Sequence, residues 1–98
     1  MRLFHRTSVG ADAVLETADR FFGALGMRAG GAGPRDRDYD GPLGTMRLAV
    51  RMEGGHYTFV EVHTDQVGES RLDKNVKKFF TALHRRADPA HKLAETHW

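Results

Sequence analysis

The sequence contains no cysteine. That excludes disulfides, thiolate metal sites and cysteine nucleophiles. Small secreted domains more often need covalent staples, so the absence fits a reducing compartment, and a cytoplasmic location is expected. Long apolar runs are missing too. None approaches the ~20 residues of a membrane span, so no membrane association is expected. The opening residues, Met1-Arg2-Leu3-Phe4-His5-Arg6, lack the apolar stretch of a signal peptide. There is no internal repeat and no low-complexity tract. No Gly-Lys-Ser/Thr follows the glycines, and no Ser/His/Asp or paired-Glu arrangement stands out. No cofactor is implied, and an interaction role is favoured over catalysis.

What is present suits one small domain. The 98 residues are 40% hydrophobic and 29% charged, a globular composition. A chain of this length buries roughly 60–65% of its unfolded surface, enough for one modest core. Net charge is only +2, but it is unevenly spread. Residues 71–98 hold seven Lys/Arg against three Asp/Glu, and residues 1–70 hold eight against ten. The C-terminal part is therefore the electropositive one.

Periodicity outlines the elements. Residues 2–9 alternate weakly, with Leu3, His5 and Thr7 on one face and Phe4, Arg6 and Ser8 on the other. Residues 11–26 place Val14, Leu15, Ala18, Phe21, Phe22 and Leu25 on one helical stripe. Gly26 suits the left-handed position after the last turn. Residues 27–44 are rich in glycine and then in charge. They read as a flexible connector, the most mobile stretch, with Arg35–Asp40 either a short edge strand or a loop.

Residues 45–53 and 57–65 alternate as two strands of a hairpin. A two-residue Gly54-Gly55 turn would set Val50 beside Phe59. A three-residue Gly54-Gly55-His56 loop sets Val50 beside Val60 and Leu48 beside Val62. Register follows the face that must be buried, so the three-residue loop is expected. The outer cross-strand pairs are then Arg47/His63, Ala49/Glu61, Arg51/Phe59 and Glu53/Tyr57. Ser70-Arg71-Leu72-Asp73 resembles a capping box. The helix it opens carries Leu72, Val76, Phe79, Phe80 and Leu83 on one stripe and ends near Ala87. Asp88-Pro89 suggests a further short helix over residues 90–97.

The expected fold is α+β: an antiparallel sheet of three to four strands with two main helices packed on one face. This order loosely resembles helix-grip and TATA-box-binding-protein-like folds. Neither family's motifs occur, so no function follows from the resemblance.

Four groups of residues are candidates for function. The outer face of the hairpin gathers Arg47, Arg51, Tyr57, Phe59, Glu61 and His63. Exposed aromatics beside arginine are what interfaces favour, so a homo-oligomer, most simply a dimer, or a protein partner is expected there. The second helix carries Arg71, Lys74, Lys77, Lys78 and Arg85 opposite its apolar stripe. Such a row could follow a nucleic-acid backbone; the plainer reading is a solvated face. Asp36, Asp38 and Asp40, followed by Gly41, match the start of a calcium loop, but Arg47 stands where the bidentate Glu belongs. No metal site is expected. Histidines form the last group: His56 and His63 on the hairpin, His84 on the second helix, and His91 four residues before Glu95. A small-ligand binder or simple enzyme, with a cavity between sheet and second helix, remains the third reading.

Overall fold

The structure is a computed structural model and describes residues 1–87. Strand β1 (Arg2–Thr7) leads into helix α1 (Ala11–Ala24). Four strands follow, β2 (Arg28–Ala32), β3 (Asp36–Gly41), β4 (Gly44–Glu53) and β5 (Tyr57–Thr64), and then helix α2 (Arg71–Ala87). The strands form one sheet in the order β1-β5-β4-β3-β2. Every pairing is antiparallel. The chain is thus α+β, with one strand more than the upper expected number.

That additional strand is β2, and it corrects the flexible-connector reading of residues 27–44. Glycine weakens a strand, but among the described residues this one sits at the sheet edge and pairs on one side only. Its register with β3 shifts between Ala29 and Gly31, a bulge. Gly31 also admits the Asp38 carboxylate, which would lie 2.9 Å from a Cβ there. The Asp36 carboxylate accepts a hydrogen bond from Gly33 N at 2.9 Å, closing the turn into β3.

The β4–β5 hairpin has the expected register. Val50 pairs with Val60, Leu48 with Val62 and Glu53 with Tyr57. Both loop glycines are left-handed, Gly54 at φ 60° and Gly55 at φ 74°. Val60 is paired with His5 on its other side, so β1 continues the same alternation: Leu3, His5 and Thr7 face the helices.

Both helices cover that face. Val14, Leu15, Ala18 and Phe22 of α1 are buried, as are Leu72, Val76, Phe79 and Leu83 of α2. They meet Tyr39, Met46, Leu48, Val50, Val60 and Val62 from the sheet in one core. The Phe22 and Phe79 rings touch at 5.3 Å between centroids, joining the two helices. Tyr39 lies beside Phe22 and donates its hydroxyl to Asp19 Oδ1 at 2.6 Å. Burial and that carboxylate push the Tyr39 phenol well above its ordinary pKa.

The start of α2 is a variant of the expected capping box. Asp73 N donates to Ser70 Oγ at 3.1 Å. The Asp73 carboxylate does not return to the Ser70 backbone; it accepts from Ser70 Oγ at 3.0 Å and Thr64 Oγ1 at 2.7 Å. The cap therefore also ties α2 to the end of β5. The short helix expected over residues 90–97 lies outside the described residues.

Candidate functional site

Because both helices cover one face, the other face of the sheet has no helical layer among the described residues. Register fixes which side chains share it. Cross-strand rows run Arg2–His63–Arg47–Asp38, then Phe4–Glu61–Ala49–Asp36, then Arg6–Phe59–Arg51, then Tyr57–Glu53. All six residues expected at an interface, Arg47, Arg51, Tyr57, Phe59, Glu61 and His63, therefore lie on this one face.

Their exposure differs from the expectation at one position. Arg47, Arg51, Tyr57 and His63 are exposed, and Glu61 is partly covered. Phe59 is only 5% exposed. The guanidinium of Arg51 lies 4.4 Å from its ring centroid and that of Arg6 4.9 Å. Phe4 stacks beside it at 5.8 Å. A cation held over an aromatic face is attracted by the ring quadrupole. Glu53 holds both cations: its Oε1 accepts from Arg6 Nε at 2.7 Å, and its Oε2 lies 3.8 Å from Arg51. Arg6 comes from β1, fifty-three residues upstream of Phe59, so no local pattern could show this clamp.

The aromatic surface left for a partner is then Tyr57, 55% exposed, and Phe4, 57% exposed. The hairpin pattern did not point to Phe4, Arg2 or Arg6. The alternation of β1 was the available signal, because it places all three on the face that β1 shares with β5. Around these rings the charges are paired. Arg2 bonds Glu61, and His63 lies 3.6 Å from the same carboxylate. The Arg2 hydrogen bond, with the Arg2, His63 and Arg51 charges, holds the Glu61 carboxyl below its usual range. Arg47 reaches Asp36 at 3.3 Å and Asp38 at 3.8 Å.

Those contacts decide the aspartate row. Asp36, Asp38 and Asp40 are alternate residues of strand β3, not a loop. Asp36 and Asp38 are engaged by Arg47, and Asp40 accepts from Thr45 Oγ1 at 3.3 Å. Among the described residues no three His, Asp or Glu side chains converge as metal ligands. His91 and Glu95 lie outside the described residues.

On α2, Arg71, Lys74, Lys77, Lys78 and Arg85 are all exposed. Lys77 lies 3.2 Å from Glu69. The side chains of the other four make no ion pair among the described residues. The underside of this helix, which the third reading requires to leave room for a ligand, is filled by Leu72, Val76, Phe79 and Leu83.

A cleft of about 320 Å³ opens instead beside the end of β1. His5, Arg6, Thr7 and Ser8 line it from the strand side, Tyr57 from β5, and His84 and Ala87 from α2. His5 stacks on Phe80 at 5.1 Å, and its Nε2 is buried without a hydrogen-bond partner among the described residues. Burial, and then the nearby His84, lower the His5 pKa. Two imidazoles, His5 and His84, thus share this cleft.

No protein-family model matches the chain, and no curated protein matches it. No described helix is long and apolar enough to cross a membrane. The functional reading therefore rests on the geometry above.

Proposed function

We propose that the chain is a non-enzymatic interaction domain that self-associates, as a dimer, through the uncovered face of β1, β5 and β4. One observation carries this reading. Phe4 and Tyr57 stand exposed on a sheet face with no helical cover among the described residues, beside an arginine-clamped ring. Aromatics and arginine are the residues enriched at the centre of interfaces. Arg2, Arg6 and Arg51 alternate there with Glu53 and Glu61, so a copy rotated by a two-fold axis can set cations of one protomer beside carboxylates of the other.

Phe59 is not the residue to test, because it is buried within the protomer. Phe4→Glu combined with Tyr57→Glu introduces charge only at exposed positions. Sedimentation velocity should show a dimer for the wild type and a monomer for the double variant, with matching far-UV circular dichroism. A wild type that sediments as a monomer at every concentration would overturn the reading.

A second reading has its own observation. Arg71, Lys74, Lys78 and Arg85 form an exposed strip of cations without ion-pair partners among the described residues. Such a strip supports nucleic-acid binding driven by counterion release. Binding to duplex DNA should then weaken steeply with salt and be lost in Lys74→Glu/Lys78→Glu. Affinity independent of salt would exclude it.

A further inference from the structure

The two edges of the sheet are unlike. At one edge β2 is broken by the bulge between Ala29 and Gly31. At the other, β1 runs from Arg2 to Thr7 without proline or register shift. Among the described residues no strand lies against its outer side. The hydrogen bonds at its start show which groups face outward. Met1 N donates to Thr64 O at 3.0 Å, and Thr64 N donates to Met1 O at 2.8 Å. In an antiparallel pair these exchanges involve every second residue. Leu3, His5 and Thr7 therefore bond to β5, while the N–H and C=O groups of Arg2, Phe4 and Arg6 point away from the sheet. Such a row is a template for another strand.

We propose that the strand it takes up is β1 of a second copy, antiparallel across a two-fold axis at His5, so that the two sheets become one. A two-fold axis makes the row of outward groups its own complement. Directly opposed residues must both present outward groups or both inward ones, so the axis passes through a residue and not between two. Two such registers overlap most of the strand. Centred on Phe4, the pairing would set Arg2 opposite Arg6, and like charges directly opposed destabilise a pair. Centred on His5, it sets Phe4 opposite Arg6 and Leu3 opposite Thr7, with no like charges opposed. An arginine beside an aromatic ring is attracted to it.

Charge favours this occupant. Arg2 and Arg6 already bond Glu61 and Glu53 of their own chain. A second β1 therefore brings no unpaired cation to the seam, whereas an acidic segment would have to displace those carboxylates. Phe4, 57% exposed, carries the seam onto the open face, so the edge is continuous with the surface proposed for self-association. The two contacts use different atoms: the open face its side chains, the edge its main chain. A dimer formed through the face leaves the outer main chain of β1 unpaired, and pairing there joins dimers into tetramers. The edge is one short strand, a contact at the weak end of interfaces. This step therefore needs a higher concentration than the face dimer.

Amide exchange followed by nuclear magnetic resonance tests it on the unmodified chain. The Phe4 and Arg6 amides should exchange about threefold more slowly at about 1 mM protein than at about 0.05 mM. A face dimer alone leaves both amides pointing into solvent. Rates that do not change with concentration overturn the proposal, whether fast, as for an unpaired edge, or slow, as for an edge covered by its own chain. Single cysteines then read the register, because the chain has none of its own. In His5→Cys the opposed Cα atoms would stand about 4.5 Å apart, within reach of a disulfide, so oxidation at high protein concentration should give a covalent dimer. Residue 5 lies on the helix side, against Phe80, where a face-to-face dimer cannot bring two copies of it together. In Phe4→Cys the two copies lie too far apart to bridge when the axis is at His5. A disulfide at position 4 and none at position 5 would keep association through the open face and overturn pairing at the edge. A disulfide at position 5 in a chain that is otherwise monomeric would keep the edge and overturn the open face. Should His5→Cys unfold, the exchange rates of the unmodified chain still decide.

Discussion

On the covered face of the sheet, Leu48, Val50, Val60 and Val62 lie beneath two helices; on the open face, Phe59 lies beneath two arginines. Both arrangements remove apolar surface from water. They differ in what does the covering. Helical side chains are themselves fixed by the core, so a deletion there leaves a cavity that collapses only in part. Guanidiniums on long stems can move to follow a smaller ring, and the attraction that holds them is screened by salt. The same sheet thus has a stiff side and an adaptable one. An interaction surface is better placed on the adaptable side, where a partner can displace a guanidinium without opening the core.

The sharpest test of this contrast is a pair of deletions. Leu48→Ala, at a fully buried position in the middle strand β4, should cost about 3–4 kcal/mol in urea unfolding. Phe59→Ala removes a larger side chain yet should cost less, about 2 kcal/mol, because its cover follows the change. Equal or reversed losses would show that the arginine clamp is as rigid as the helical cover.

Next in size is the polar contact at the margin of the core, where buried Tyr39 meets exposed Asp19. Tyr39→Phe leaves Asp19 without the phenol and should cost about 1–2 kcal/mol, since hydrogen bonds to charged groups are the stronger ones. It has a pH signature. The folded phenol holds its proton above the ordinary pKa of about 10, so the unfolded state loses protons first as pH rises. Wild-type stability should fall from about pH 10 upward, and the slope should be shallower in Tyr39→Phe. A matching slope in the two proteins would mean that Tyr39 does not titrate abnormally.

His5 gives the opposite sign. Its folded pKa is lowered, so the unfolded state takes up the proton first as pH falls. Its contribution is complete above about pH 6.5 and is lost below it. Between about pH 7 and 5 the wild type should lose more stability than His5→Gln. The smallest effect belongs to the open face: Arg47→Ala should cost under about 0.5 kcal/mol, because exposed ion pairs contribute little. A loss near that of Leu48→Ala would erase the distinction between the two faces.

Legibility followed the same division. The β4–β5 register could be read to the residue, because Leu48, Val50, Val60 and Val62 demand one buried face and only a three-residue loop supplies it. Both helices were legible from their stripes. The β2–β3 hairpin was not. Its core contribution centres on Tyr39, and the glycines of β2 have no side chain to alternate. The spacing of Asp36, Asp38 and Asp40 carried the strand period of two, but the same spacing opens a calcium loop. At the candidate site, the face shared by Arg51, Tyr57 and Phe59 was readable. The burial of Phe59 was not, since Arg6 reaches it from a strand at the other end of the chain.

The glycine bulge of β2 has a consequence for stoichiometry. A sheet with two regular edges can add neighbours at both ends and grow without limit, as fibrils do. Here one edge is interrupted between Ala29 and Gly31, with an aspartate turned toward the gap. Copies joined edge to edge would therefore meet a regular edge at β1 and an interrupted one at β2, and such an assembly would close as a pair. The residues that look like slack in the sequence would then act as a chain terminator for edge-to-edge assembly.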